Sequence, residues 1–122
     1  MKRGRGPLKS NIRMANLEAG LPTVHEALSR LDQELAAARR EKCTILKLIH
    51  GYGSSGTGGD IRTAVQRRLV EMTHSSQIRS CIFGEDWSIS DERTWTLLQT
   101  QPELKQDRDL GRKNLGITVV ML

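Results

Sequence analysis

The stretch that decides the fold lies at residues 49–62 and reads Ile-His-Gly-Tyr-Gly-Ser-Ser-Gly-Thr-Gly-Gly-Asp-Ile-Arg. An apolar run typical of a strand ends at Ile49, and apolar residues at helical spacing begin at Ile61. Glycine accepts positive φ and lets a ligand approach the backbone, while a helix N-terminus offers unpaired N–H groups. A strand, a glycine loop and a helix therefore predict an anion site of the kind that binds phosphate. His50, at the loop entrance, adds a group that titrates near neutral pH.

Two common phosphate-binding motifs fit this stretch poorly. Gly51 to Gly56 matches G-x-G-x-x-G after a strand, as in dinucleotide-binding proteins. However, the helical pattern starts several residues after Gly56, the chain has too few strands for a doubly wound sheet, and no acidic residue ends a strand at the expected spacing. No Gly-Lys-Ser/Thr follows the loop, which argues against a Walker P-loop.

The formal net charge of +5 is concentrated near the N-terminus. The chain has 19 Lys and Arg against 14 Asp and Glu, and five of the basic residues precede the first acidic residue: Lys2, Arg3, Arg5, Lys9 and Arg13. The rest of the chain is formally neutral. We predict that residues 1–10 form a basic flexible N-terminal arm, which either contacts phosphates non-specifically or serves as a solubilising tail.

Length and composition predict one domain of 122 residues with a modest, mainly aliphatic core. No apolar run reaches the length of a membrane span, and no signal peptide is evident, so no membrane partner is expected. Cys43 and Cys81 lie in apolar runs that read as strands. We interpret both as packing residues of a protein in the reducing cytoplasm.

The order of elements predicts the fold class. Residues 11–17 form a first strand, and a capping box of Thr23 and Glu26 starts a helix that runs to about Arg40. Strands follow at 44–49, 77–83 and 117–122, with a helix over 61–72 capped by Asp60 and an insertion at 84–116 that contains a short helix near Ser90. This order predicts an α/β two-layer sandwich with a four-stranded mixed sheet and both main helices on one face.

The glycine loop in this context resembles the Smr (small MutS-related) domain family. The resemblance rests on His50-Gly51-Tyr52-Gly53 with further glycines and then Ile61-Arg62, on the helix opened by Pro22-Thr23-Val24, and on the closing strand 117–122. It covers residues 11–122. It implies the family fold, which is like the C-terminal domain of translation initiation factor three, and binding to DNA or RNA, often with nicking endonuclease activity.

The resemblance also assigns residues, and the sequence departs from it in two places. His50, Gly51, Gly53 and Gly56 match the family loop, and Arg62 matches the arginine of the next helix, although the loop is longer here. Many members carry Leu-Asp-x-His at the end of the first strand, to which nuclease activity has been tied. This chain has Ala19 at the histidine position and no matching aspartate. Glu18 lies nearby, but strand alternation predicts that it points to a different face. The chain therefore resembles a short, single-domain branch of the family, in which binding is better supported than cleavage.

The candidate site residues follow from the chemistry of phosphate binding. His50 can act as a general acid or base, Arg62 can contact a phosphate, and Tyr52 can stack on a base. Two of these residues also have an alternative role in the structure alone: His50 can shape the loop through hydrogen bonds to its backbone, and Arg62 can pair with Asp60. The full phosphate-binding set is His50, Gly51, Tyr52, Gly53, Ser54, Ser55, Gly56 and Arg62.

Acidic residues of the insertion are candidates for cleavage. Glu85 and Asp86 are predicted to leave the third strand beside the glycine loop, and with Asp107 and Asp109 they form a conceivable site for Mg²⁺ or Mn²⁺. The alternative is that these acids pair with Arg108 and Arg112. Binding itself requires no cofactor in this interpretation.

Three functions remain open from the sequence. The first is a nucleic-acid-binding domain that grips phosphates with the glycine loop. The second is a metal-assisted endonuclease, and the third is a regulatory module for an anion or nucleotide. The sequence does not distinguish DNA from RNA or define an oligomeric state.

Overall fold

The fold is known from a computed structural model, which describes residues 11–53 and 57–122. The predicted N-terminal arm lies outside the described residues. The strands are β1 (Ile12–Asn16), β2 (Ile45–Ile49), β3 (Ser80–Phe83) and β4 (Ile117–Met121), and the helices are α1 (Val24–Arg40), α2 (Thr57–His74) and α3 (Glu92–Thr100). Two short 3₁₀ segments, Gly84–Asp86 and Pro102–Gln106, flank α3. No helix within the described ranges has the length and apolarity needed to cross a bilayer.

The sheet is mixed, as predicted, with strand order β1-β2-β4-β3. β1 pairs with β2 in parallel, and β4 runs antiparallel to both β2 and β3. Because β2 and β3 point the same way, they end at the same end of the sheet. Ile49 is paired with Ile117, and Phe83 with Thr118, so β4 begins where β2 and β3 finish.

Helices α1 and α2 cover one face of the sheet. Leu31 and Leu35 of α1 and Val65 and Leu69 of α2 pack in one core cluster with Leu48 of β2 and its neighbours. The capping box at the start of α1 is present, since the Glu26 N–H donates to the Thr23 hydroxyl and the Thr23 N–H donates to the Glu26 carboxylate. The local sequence pattern therefore predicted α1 correctly from its first residue to its last.

The insertion forms a third layer, which corrects the predicted two-layer arrangement. Trp87, Leu98 and Leu104 of the insertion pack in a second core cluster with Ile45 and Val119 of the sheet. The physical reason is that β2 and β4 are buried on both faces, since every residue from Ile45 to Leu48 and from Ile117 to Val120 is buried and most of these side chains are apolar. A face of this kind has to be covered, and residues 84–116 are the segment that covers it.

Several predicted boundaries differ from the structure. α2 begins at Thr57, so Asp60 lies in its first turn and is not its cap, and β3 is shorter than predicted. The helix thus opens directly after Gly56, which removes one of the arguments against a dinucleotide-binding loop. The mixed sheet still excludes a doubly wound fold. Both cysteines are buried free thiols, Cys81 in β3 and Cys43 just before β2.

Candidate functional site

The loop end of the sheet, where β2 and β3 finish and β4 begins, brings the candidate residues together. The backbone N–H groups of His50 and Gly51 both donate to the carbonyl oxygen of Gly116, at 2.9 and 3.1 Å. Gly51 and Gly53 have φ of 78° and 104°, as expected for a loop that turns sharply. The entrance of the glycine loop is therefore attached to the residue that precedes β4.

His50 is fully buried at this position. Its Nδ1 lies 2.7 Å from the Gly51 carbonyl oxygen and its Nε2 lies 2.9 Å from the Thr118 hydroxyl. Since a carbonyl only accepts, Nδ1 carries the proton and Nε2 accepts from the hydroxyl. Burial lowers the pKa of His50, which favours this neutral ring. The sequence left phosphate chemistry and loop shaping open as roles for His50, and the two hydrogen bonds of its ring are those of a residue that holds the loop entrance from inside.

Glu18 lies against the glycine loop, contrary to its predicted direction. A Cβ added to Gly51 would overlap the Glu18 carboxylate, so the two residues are in close contact. Strand alternation does not apply to Glu18, because β1 ends at Asn16, whose side chain accepts the N–H groups of Glu18 and Ala19 in a turn. A carboxylate therefore reaches the loop through this turn.

Arg62 extends from α2 towards Glu85, which follows β3. Its Nη2 donates to Glu85 Oε2 at 2.9 Å, so its acidic partner is Glu85 and not Asp60, the partner that the sequence offered as the alternative to phosphate contact. Arg62 Nε and Glu85 Oε1 are buried and have no hydrogen-bond partner among the described residues. Glu85 lies at the loop end, as predicted, whereas Asp86 pairs with Arg93 at 3.4 Å.

The other predicted acids, Asp107 and Asp109, pair with a lysine on the central strand. Lys47 is 2 % exposed, and its Nζ donates to both oxygens of Asp107 at 3.0 and 2.9 Å and to Asp109 at 2.5 Å. The predicted alternative partners, Arg108 and Arg112, do not make these contacts. Within the described part of the chain, no three His, Cys, Asp or Glu side chains are grouped so as to hold a metal ion.

This ion cluster shapes the segment between residues 107 and 116, which we call the cationic turn because it carries Arg108, Arg112 and Lys113. Asn114 donates to Asp109 at 2.9 Å, and the Gly116 N–H donates to the Asn114 side chain at 2.8 Å. A continuous series of hydrogen bonds thus runs from the buried Lys47 to Gly116, which accepts from the loop entrance.

A cleft of about 760 Å³ lies between the glycine loop and the cationic turn. Tyr52 lines the cleft together with residues of the turn, namely Arg108, Asp109, Arg112, Lys113, Asn114 and Leu115. Tyr52 is 55 % exposed, and the three basic residues are also exposed, whereas the charge of Asp109 is paired with Lys47. The cleft is therefore open, polar and positively charged.

The remaining predicted site residues are not all placed. Ser54, Ser55 and Gly56 lie outside the described residues, so their predicted phosphate contacts stay a prediction. Sequence reasoning missed Glu18, Lys47 and the cationic turn as parts of the site. Lys47 did give a signal, because a lone lysine inside the run Thr-Ile-Leu-Lys-Leu-Ile requires a buried partner.

Comparison with known families agrees with this architecture. The family model of the Smr domain matches residues 19–85, which is more than half of the chain and includes the glycine loop, Arg62 and Glu85. The chain therefore belongs to the Smr domain family, a membership that suggests nucleic-acid binding or nicking. Searches of curated proteins and of solved structures gave no significant match. The cationic turn lies beyond the matched region.

Proposed function

We propose that this Smr domain binds nucleic acid at the loop end of its sheet, with the cationic turn and the glycine loop contacting the sugar-phosphate backbone. The observation that carries the proposal is the placement of Arg108, Arg112 and Lys113 in one cleft with the entrance of the glycine loop. A domain whose charge is formally balanced outside its N-terminal region has no general attraction for phosphate, so a local cluster of cations decides where phosphate binds.

Arg62 is a secondary contact in this proposal. Its guanidinium is partly neutralised by Glu85, and its side chain is 26 % exposed, so it offers less charge to a phosphate than the arginines of the cationic turn. His50 contributes by fixing the loop entrance, since both its ring nitrogens are occupied within the protein.

The test is a salt titration of binding by fluorescence anisotropy, with labelled DNA and RNA and the full chain. The variant Arg108→Ala/Arg112→Ala removes two cations from the cleft. Its matched control, Arg40→Ala/Arg79→Ala, removes two exposed arginines next to the starts of β2 and β3, at the opposite end of the sheet.

We expect the wild-type affinity to fall linearly with the logarithm of salt concentration. If both cleft arginines contact phosphates, the slope on duplex DNA should become shallower by about 1.8, at about 0.9 per phosphate contact, and the control should keep the wild-type slope. No binding at low salt, or equal slopes for the two double variants, would contradict the proposal. Tighter binding of a mononucleotide than of any oligonucleotide would favour a regulatory anion site instead.

Phosphodiester cleavage is a second candidate function, because two carboxylates lie at the loop end. Glu18 contacts Gly51, and Glu85 is close enough to His50 to influence its pKa. Carboxylates at this position can bind Mg²⁺ or Mn²⁺ against a phosphate or act as a general base.

Nicking of supercoiled DNA and cleavage of structured RNA, measured with Mg²⁺, Mn²⁺ or chelator, test this candidate. Glu18→Gln and Glu85→Gln should each lower the cleavage rate by about 10²-fold or more. Glu103→Gln, in the 3₁₀ segment Pro102–Gln106, is the control for loss of one exposed carboxylate. Equal cleavage by all three variants would contradict a catalytic role for Glu18 and Glu85.

A further inference from the structure

Tyr52 presents an aromatic ring to solvent at the mouth of the cleft. It is 55 % exposed, although burial of an aromatic ring is among the largest favourable contributions that a side chain can make. The inner side of the ring lies against the backbone of Gly116, since a Cβ added to Gly116 would come 3.2 Å from Tyr52 Cδ1 and 3.4 Å from the Gly51 Cα. Glycine at position 116 therefore lets the ring lie close to the turn, while more than half of Tyr52 stays exposed to solvent.

The backbone directly before Tyr52 is held by long-range contacts. Gly116 accepts from the N–H groups of His50 and Gly51, directly before Tyr52, and it donates to Asn114, which is bonded to Asp109. Preorganisation of this kind lowers the entropic cost of binding a ligand. The backbone that carries the ring and the cationic turn are thus joined by one series of hydrogen bonds.

The other walls of the cleft match the parts of a nucleotide. The cleft volume of about 760 Å³ is in the range of sites that bind small ligands, and Leu115, 39 % exposed, adds an apolar surface next to the ring. Arg108 and Arg112 supply the charges that phosphates require. A cleft with one open aromatic face and cations beside it fits a base together with its neighbouring phosphates.

From this geometry we propose that the cleft binds an unpaired nucleotide, with the base stacked on Tyr52 and the flanking phosphates on the cationic turn, so that the domain prefers single strands to duplexes. The inference rests on the proposed nucleic-acid-binding function and deepens it. Its physical reason is that both faces of a base are covered in a duplex, and a base reaches an aromatic ring only after it has left the stack.

The test compares single-stranded and blunt duplex oligonucleotides of one sequence, as DNA and as RNA, by anisotropy with the full chain. The variants are Tyr52→Ala, which removes the ring, and Tyr52→Phe, which keeps it. Stacking on one aromatic side chain corresponds to roughly tenfold in affinity. We therefore expect the ratio of single-strand to duplex affinity to fall roughly tenfold in Tyr52→Ala and to stay within about twofold in Tyr52→Phe.

A second measurement reports stacking without relying on affinity. An oligonucleotide with one 2-aminopurine should show quenched fluorescence when saturated by wild type or Tyr52→Phe, and less quenching when saturated by Tyr52→Ala. Thermal unfolding of each variant shows whether the fold is retained, and Tyr52 lies in a loop where its exposed ring adds little to the core.

The outcomes separate the two proposals. If the wild-type protein binds no oligonucleotide, the proposed function fails and this inference fails with it. If the wild type binds but shows the same affinity ratio and the same quenching as Tyr52→Ala, the unpaired-nucleotide site is refuted and the binding function stands. A preference confined to RNA or to DNA supports the inference and identifies the strand.

Discussion

Lys47 is the residue whose replacement tests the architecture of the site most directly. Lys47→Met keeps the length and packing of the side chain and removes its charge. In the wild type, Nζ lies within 3.0 Å of three carboxylate oxygens of Asp107 and Asp109, whose side chains are 12 % and 15 % exposed. After the substitution, two largely buried carboxylates face each other without a cation.

The expected loss of unfolding free energy at pH 7 is about 3 kcal/mol. Removal of one partner from a buried ion pair costs about 3–5 kcal/mol, because the other partner remains charged and desolvated. The lower figure applies here, since Asp107 still accepts from Trp87 and Asp109 still accepts from Asn114. An exposed ion pair contributes at most about 1 kcal/mol. Arg68→Met, which breaks the exposed Arg68–Asp32 pair, is therefore the matched control.

The effect of Lys47→Met on the unfolding free energy should depend on pH in one direction. Burial acts to raise the pKa of Asp109, but the hydrogen bonds from Asn114 and Lys47 outweigh burial and hold this pKa below its usual range. In the wild type, the corresponding stability is present above the unfolded pKa of about 3.9 and is lost as the pH falls through the folded value. In Lys47→Met the Asp109 carboxylate loses the hydrogen bond and the charge of Lys47 and takes up its proton at a higher pH, so the deficit relative to wild type should shrink between pH 7 and pH 4.

Urea unfolding measured by tryptophan fluorescence provides the assay, since Trp87 is buried and becomes exposed on unfolding. Lys47→Met/Asp109→Asn should recover part of the loss, because one unpaired charge is then absent. A loss at pH 7 no larger than that of Arg68→Met would refute the reasoning. A deficit that grows on acidification would also refute it.

The remaining predictions concern the loop end and are also measured by urea unfolding. Gly51→Ala should lose about 1 kcal/mol more stability than Gly20→Ala, because both have φ near 80° but only the Cβ added at position 51 would overlap the Glu18 carboxylate. The further substitution Glu18→Ala should remove this difference. Gly84→Ala should lose about 3 kcal/mol, since its Cβ would overlap a backbone carbonyl of the cationic turn, and a loss below about 1 kcal/mol would contradict this contact. Burial lowers the pKa of His50 in the folded chain, so below pH 6.5 the unfolded chain binds more protons than the folded chain. The unfolding free energy of the wild type should therefore fall as the pH drops below 6.5, by up to about 1.4 kcal/mol per pH unit. The fall should be less steep in His50→Asn.

The parts of the fold that depend on local interactions were predicted from the sequence. Thr23 and Glu26 form the capping box that starts α1, and the apolar runs at 45–49 and 117–121 form strands. The sequence predicted the start of α2 at Ile61, whereas the chain is helical from Thr57. The two glycines at 58 and 59 are poor helix formers and hid the first turn of the helix. The sequence also did not predict the third layer, because local sequence patterns do not indicate which segment packs on the second face of the sheet.

The sequence alone determined the family, the position of the glycine loop between β2 and α2, and the location of Tyr52 and Arg62 at its two ends. These features depend on spacing along the chain, which sequence patterns record. The tertiary structure decided the rest of the site: His50 turned inward to Thr118, Glu18 reached Gly51, and Lys47 found its carboxylates 60 and 62 residues away. Those partners are set by strand order, which places β1 and β4 on either side of β2, and by the desolvation of buried charge, which acts only once the layers have packed.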